Sequence, residues 1–198
     1  MSTEDARVRT LLRAFGDDAF AQWLVPDQEH RHHVYREWFA MVLAHTETAG
    51  RVITGEDDLA VQVWLSARTG PPDMLDEAGV QRLLELAGPR AHRFREFGAL
   101  SAERHPREPH EYLALIGVDP AVQGTGVGSR ELGETLRRLD ADGVPSYLEA
   151  SSPRSRNLYL RLGFEPLGAP IILPDEGPHL YPMWRPRRGR DGQVSAPT

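Results

Sequence analysis

The amino-acid sequence predicts one mixed α/β (α+β) domain, and three observations carry that expectation. A strand-length apolar run, Tyr112–Val118, leads through a glycine-rich turn into an amphipathic helix, Ser129–Ala141. A second apolar run, Val144–Ala150, leads into a short helical stretch, Asn157–Phe164, with a glycine at its end. Ahead of both, apolar residues recur at helical spacing through most of the N-terminal half, interrupted by one hairpin-like pair.

Taken in order, Val8, Leu11, Leu12 and Phe15 make a helical stripe over Asp5–Phe15. Gly16-Asp17-Asp18 breaks it before a second short apolar piece, Phe20–Val25. Asp27 is suited to cap a long helix from Gln28 to about Thr48, which Gly50 stops. Along it Val34, Trp38, Met41, Val42 and His45 recur at three and four. Arg51–Gly55 and Leu59–Ser66 flank the acidic turn Glu56-Asp57-Asp58 and read as a β-hairpin. Asp76–Leu86 and Arg90–Leu100 read as two further helices, and Ser101–Pro109 as a charged loop with two prolines. Beyond the two strand–helix units, Phe164–Leu173 and His179–Arg185 read as an antiparallel pair. Residues 187–198, rich in Arg, Gly and Pro, read as a disordered tail, which leaves 1–186 as a single domain.

Composition narrows the function classes. The 198 residues are 40% hydrophobic and 26% charged, values of a globular chain that can bury a core. With 23 basic and 29 acidic residues, the net charge of −6 leaves no basic footprint for nucleic acid. The absence of cysteine excludes disulfides, a thiolate nucleophile and a thiolate zinc site. The N-terminus is acidic and amphipathic rather than a signal peptide, and no apolar run approaches spanning length, so no membrane partner and a cytoplasmic location are expected. His30, His32, His33 and Glu37 raise the question of a metal. They read as residues on the wet first turns of a helix, and no metal is expected.

The turn Gln123-Gly124-Thr125-Gly126-Val127-Gly128 is the most informative stretch. A strand, a glycine-rich turn and a helix N-terminus in that order make a pyrophosphate cradle, with N–H groups and the helix dipole facing the anion. The nucleotide-binding P-loop needs a lysine, and the chain has none. The dinucleotide fingerprint would start at Gly124 and put Ser129 where its last glycine belongs; it also opens a first βαβ unit, whereas this turn lies past mid-chain. The remaining pattern, Gln/Arg-x-x-Gly-x-Gly/Ala, is met by Gln123, Gly126 and Gly128. On this turn, on the strand Val144–Ala150 and on Tyr159 followed after three residues by Gly163-Phe164, the chain resembles the GNAT acetyltransferases.

The resemblance covers residues 108–187 well and the earlier chain only in topology. It implies a mixed, mostly antiparallel central sheet flanked by helices, here lacking the first edge strand that the family places before its first helix. It implies acetyl-coenzyme A as co-substrate. Gln123, Gly124, Thr125, Gly126, Val127, Gly128 and Ser129 would hold its pyrophosphate, and the backbone of Ile116 and Val118 its pantetheine arm, the Val118 N–H near the thioester oxygen. A coenzyme-contacting asparagine of the family falls where this chain has Ser155; Asn157, two positions on, is the other candidate. Tyr159 is the expected general acid toward the departing thiolate, since a phenol stays protonated at neutral pH. Glu149, a carboxylate in a strand that should be buried, is either the base, directly or through water, an orienting group for the amine, or a structural acceptor for backbone N–H groups. Glu111 and His110, at the mouth of the central strand, are alternatives. Trp38 and Trp64 are candidates to line an acceptor pocket, with Glu111 at its edge. The function expected is acetyl transfer to a small-molecule amine, an antibiotic or a biosynthetic intermediate, by a monomer or homodimer. Acetylation of a protein or peptide, and a non-catalytic acyl-coenzyme-binding protein, are the competing classes.

Overall fold

The computed structural model describes residues 5–187. Three helices come first: α1 (Ala6–Phe15), α2 (Ala19–Leu24) and α3 (Gln28–Ala49). Each has an aspartate at its N-cap: Asp5 accepts from the Arg7 N–H, Asp18 from Ala21 and Asp27 from His30. The hairpin follows as β1 (Gly50–Thr54) and β2 (Ala60–Ser66), then α4 (Glu77–Ala87) and α5 (Ala91–Arg104). The C-terminal half runs β3 (Glu111–Val118), α6 (Val127–Ala141), β4 (Ser146–Ala150), α7 (Pro153–Arg161), β5 (Glu165–Pro166), β6 (Ile171–Ile172) and β7 (His179–Arg185).

The strands form one sheet in the order β1-β2-β3-β4-β7-β5, with β6 also on β7. Every pairing is antiparallel except β3 with β4. Among the described residues no strand precedes α1, so β1 is the sheet's first edge.

Side-chain alternation along β2 divides the core between two faces. Val61 and Val63 face α1, α3 and α5, with Leu11, Val34, Phe39, Val42 and Phe94 around them. Trp64 faces the other layer, with Leu132, Leu136 and Leu139 of α6 and Phe164 beyond α7. α1 lies directly on the backbone of β3: a Cβ at Gly117 would come 2.9 Å from Leu11 and 3.2 Å from Ala14. Only glycine allows that approach.

Four differences from the sequence expectation have a clear local reason. α5 runs to Arg104, four residues into the expected loop, because nothing breaks it before Pro106. α6 starts at Val127 rather than Ser129, since Gly126 in the left-handed region (φ 92°) already turns the chain into it. α7 starts at Pro153, not Asn157: Ser152 and Ser155 form a reciprocal capping box, and a proline suits the first helical position. The expected strand Phe164–Leu173 is two short pieces, β5 and β6, parted at Gly168 (φ 72°) and Pro170. The tail expected at 187–198 lies outside the described residues from 188 on.

Candidate active site

β3 and β4 run parallel but pair only at Glu111–Ser146 and Tyr112–Tyr147. Past Tyr112 the strands part, so the side of β3 from Leu113 onward that faces β4 carries no ladder. A bulge sharpens the opening: Val63 opposes Leu115 and Trp64 opposes Leu113, which leaves Ala114 as the extra residue. A cavity of about 140 Å³ lies at this split, against Ala114, Ile116, Leu148, Glu149, Ser155 and Tyr159, and continues beneath Tyr35, Trp38 and Phe97.

The cradle closes the far end of β3. Asp119 caps the single turn Pro120–Val122 by accepting from the Ala121 N–H. Gln123 donates its side-chain amide to the Val118 carbonyl (2.9 Å), and Thr125 donates its hydroxyl to the Val122 carbonyl (2.7 Å). Gly124 (φ 81°) and Gly126 (φ 92°) are both left-handed, and a Cβ on either would meet open space. The demand is therefore conformational rather than steric. The first intrahelical bond of α6 runs from the Arg130 N–H to the Gly126 carbonyl (2.9 Å), so the N–H groups of Val127, Gly128 and Ser129 precede the ladder. No acidic residue occupies that first turn, and Arg130 is ion-paired with Glu131. The arrangement fits a diphosphate: donors at a helix start, no carboxylate opposing the anion, and a backbone open on its outer side.

Tyr159 owes its position to the end of α7. The Phe164 N–H bonds the Tyr159 carbonyl (3.0 Å) across Gly163, whose φ is 86°. This is a Schellman closure, and Phe164 packs edge-on against the Tyr159 ring at 5.8 Å. The Tyr-x-x-x-Gly-Phe spacing thus has a mechanical basis: the same motif ends the helix and clamps the tyrosine. Its ring lines the cavity, and burial alone pushes its phenol above the ordinary range.

Glu149 lies on the cavity wall and accepts from hydroxyls, not from the backbone N–H groups that a purely structural role suggested. Its Oε1 accepts from Ser101 (2.7 Å) and Tyr147 (3.1 Å), its Oε2 from Tyr112 at a longer 3.4 Å. Burial raises its carboxyl pKa, and these hydroxyls offset part of the rise. Behind the two tyrosines sits a buried histidine pair. His110 donates from Nδ1 to the Glu108 carbonyl (2.6 Å), so its Nε2 accepts from His105 Nε2 at 3.1 Å when both rings are neutral. Burial lowers both pKa values, that of His105 to about 4.

The remaining expected residues divide. Trp38 lines the cavity, as does Ile116, and Ser155 lines it while completing the α7 capping box. Val118 stands outside the cavity and braces the cradle, its side chain 3.1 Å from where a Gly128 Cβ would be. The structure places three others away from the cavity wall. Trp64 is fully buried on the α6 face, donating to Gln62 Oε1 (2.9 Å), and does not line the cavity. Glu111 is at the opposite end of β3 in ion pairs with Arg51 and Arg68, away from the cavity wall. Asn157 is exposed on the side of α7 opposite the face that carries Ser155 and Tyr159. His110, the other suggested base, is spent on the histidine pair. Of the suggested metal cluster, His30 bonds the Leu86 carbonyl and His32 bonds Asp17. The bulge at Ala114, Ser101 and the histidine pair were not anticipated.

Comparison with known proteins places this geometry. Residues 81–164 match the acetyltransferase (GNAT) family. A solved protein of Corynebacterium glutamicum, described as histone acetyltransferase HPA2 and related acetyltransferase, is 29% identical. The match covers 96% of this chain and 91% of that one, with a TM-score of 0.66. An uncharacterized N-acetyltransferase of Schizosaccharomyces pombe is 26% identical over 78% of this chain and 68% of its own length. A mosquito arylalkylamine N-acetyltransferase-like protein, 15% identical with a TM-score of 0.56 over 91% of this chain and 93% of that one, shares the fold. The chain has the GNAT fold, and with the family match over the cradle and Tyr159 it is an acetyltransferase of the GNAT type.

Proposed function

We propose that the protein transfers the acetyl group of acetyl-coenzyme A directly to a small-molecule amine, both being bound at once. One observation carries the reading: Tyr159, Ile116, Ser155 and Glu149 share a single cavity at the β3/β4 split, continuous with an aromatic chamber on the helical side. The cradle residues 123–129 would hold the pyrophosphate, and β3 from Ile116 to Val118 the arm that brings the thioester to the split. The coenzyme supplies an activated acyl group, and the protein supplies position and proton management. The Tyr159 hydroxyl, kept protonated by burial, gives its proton to the departing sulfur. Glu149, held by three hydroxyls, orients the amine and takes up its proton directly or through water; its raised pKa brings it nearer the pH range in which a base works.

A small molecule suits the site better than a protein chain. Phe97 of α5 and Met74 ahead of α4 line the cavity, and its volume of about 140 Å³ suits a small acceptor group rather than a length of polypeptide. The segments 111–129, 143–155, 158–165 and 176–185 also resemble puromycin N-acetyltransferase, which makes an antibiotic amine one acceptor to try and the cytoplasm the setting. The test is release of free thiol from acetyl-coenzyme A with puromycin and a panel of other amines. Turnover with any small amine supports the reading; coenzyme binding without turnover of any acceptor moves it to a non-catalytic binder.

A further inference from the structure

The Glu149 carboxylate is held unevenly, and the unevenness separates its two oxygens. A carboxylate oxygen has two acceptor sites. On Oε1 both are filled, by the Ser101 hydroxyl at 2.7 Å and the Tyr147 hydroxyl at 3.1 Å. Oε2 has only the Tyr112 hydroxyl, at 3.4 Å. The Ser101 contact alone has the length of a charge-assisted hydroxyl–carboxylate bond; the other two are longer than an ordinary O–H···O bond.

The three donors also differ in origin. Tyr112 and Tyr147 belong to the strands that pair at the base of the split, so the sheet itself sets them. Ser101 comes from α5, 48 positions away in the chain. One turn before it on that helix, on the same face, stands Phe97, whose ring lines the cavity against Phe20 at 4.9 Å. α5 therefore carries a wall of the acceptor chamber and the shortest tether of Glu149 side by side. Each hydroxyl has a single hydrogen, and all three are spent on Glu149. Among the described residues no cationic side chain lines the cavity to take their place.

We propose that Ser101 is a positioning residue of the transfer reaction: by tying down Oε1 it leaves Oε2 as the atom that meets the amine. This assignment rests on the acetyl-transfer reading for the use it gives Glu149. As the new N–C bond forms, the amine proton passes to Oε2, directly or through one water. The C–S bond breaks, and the departing sulfur takes the Tyr159 proton; exchange with solvent returns the carboxylic acid and the phenolate to their starting forms. Burial drives Glu149 toward its neutral form, and the Ser101 bond is the largest of the interactions that counter it. The other groups on the same wall are Tyr112 from β3, Tyr147 from β4, Tyr159 from α7 and Asp18 ahead of α2. Pro182 opposes Glu149 on β7, and His105, neutral at pH 7, lies behind the two tyrosines. None of these supplies a positive charge that could replace the lost hydroxyl.

The test is a titration of the Glu149 carboxyl by carbon NMR in the full chain labelled at its glutamate side chains, with Glu149→Gln identifying the signal. In Ser101→Ala the signal should titrate at higher pH than in the wild type. In Ser101→Thr, which keeps the hydroxyl, it should titrate as in the wild type. Tyr112→Phe, which removes the longest contact, should move it less than Ser101→Ala does. Alanine suits a half-buried helical position, so the fold is kept. With an amine that the wild type acetylates, Ser101→Ala should lower kcat about ten- to a hundredfold, the scale of one hydrogen bond to a charged group. The KM for acetyl-coenzyme A should stay unchanged, and the acid limb of the rate profile should move to higher pH. Ser101→Thr should stay within about threefold of the wild type. A titration unmoved in Ser101→Ala, a larger shift in Tyr112→Phe, or an unchanged kcat overturns the positioning role. A wild type that acetylates no amine faults the transfer reading instead, and with it the use of Oε2, whatever the titration shows.

Discussion

Acidification should weaken this fold through one identifiable pair, His105 and His110, and the effect can be worked out from the structure. Both rings are buried, His110 completely, and they share one hydrogen bond. Burial holds the His105 pKa at about 4, against about 6.5 in an unfolded chain. A base whose folded pKa is lowered takes up its proton more readily when unfolded. Stability is therefore full above pH 6.5, falls as the pH drops toward 4, and levels off below that. Between pH 7 and pH 5 the linkage relation gives a loss of about 2 kcal/mol for His105, approaching about 3.4 kcal/mol at the acid limit. His110, lowered by burial too, adds to it in the same direction.

The consequence reaches the active site. His105 packs edge-on against Tyr112 (4.9 Å) and Tyr147 (5.0 Å), whose hydroxyls hold Glu149. Urea denaturation at pH 7, 6 and 5 should show the wild type losing about 2 kcal/mol more than His105→Asn over that span. Comparing the two proteins removes the carboxylates that titrate in both. Identical pH slopes would refute the assignment of a neutral buried pair.

Three further outcomes follow from the same geometry. Tyr159→Phe removes one hydroxyl while Phe164 and the Schellman closure keep the ring in place, so turnover should fall by about ten- to a thousandfold with coenzyme affinity little altered; steady-state kinetics with calorimetry checks both halves, and unchanged turnover removes Tyr159 from the reaction. Gly126→Val forces a β-branched residue to φ 92° and should weaken coenzyme binding at least about tenfold, measured by titration, while the melting temperature falls by several degrees without loss of the fold. Gly117→Val drives a side chain into Leu11 and Ala14 and should cost about 2–3 kcal/mol in chemical denaturation by lifting α1 from β3; a neutral result would mean that α1 docks elsewhere.

Local signals made half of this molecule legible from its residues. The Asp27 cap, the hairpin, the cradle and the Tyr159–Gly163–Phe164 clamp are each written within a few consecutive positions. What escaped is long-range. Ser101 meets Glu149 across 48 positions, and Asp18 and Tyr35 meet the same cavity as Glu149 only because α1–α3 fold over the sheet. Trp64 was misplaced for a different reason: β2 is apolar on both faces, so alternation separates Val61 and Val63 from Trp64 without saying which set meets the helices α1 and α3. Glu111 was misplaced because a buried-strand carboxylate reads alike at either end of the strand; only the pairing with Arg51 and Arg68 shows that it closes the end away from the split.

The account turns on acetyl transfer at the β3/β4 split, and one assay bears on it most directly: thiol release from acetyl-coenzyme A by the purified protein across a panel of amines including puromycin. Amine-dependent release with at least one acceptor, suppressed in Tyr159→Phe, is the predicted result. No amine-dependent release with any acceptor, whether or not the coenzyme binds, would contradict it.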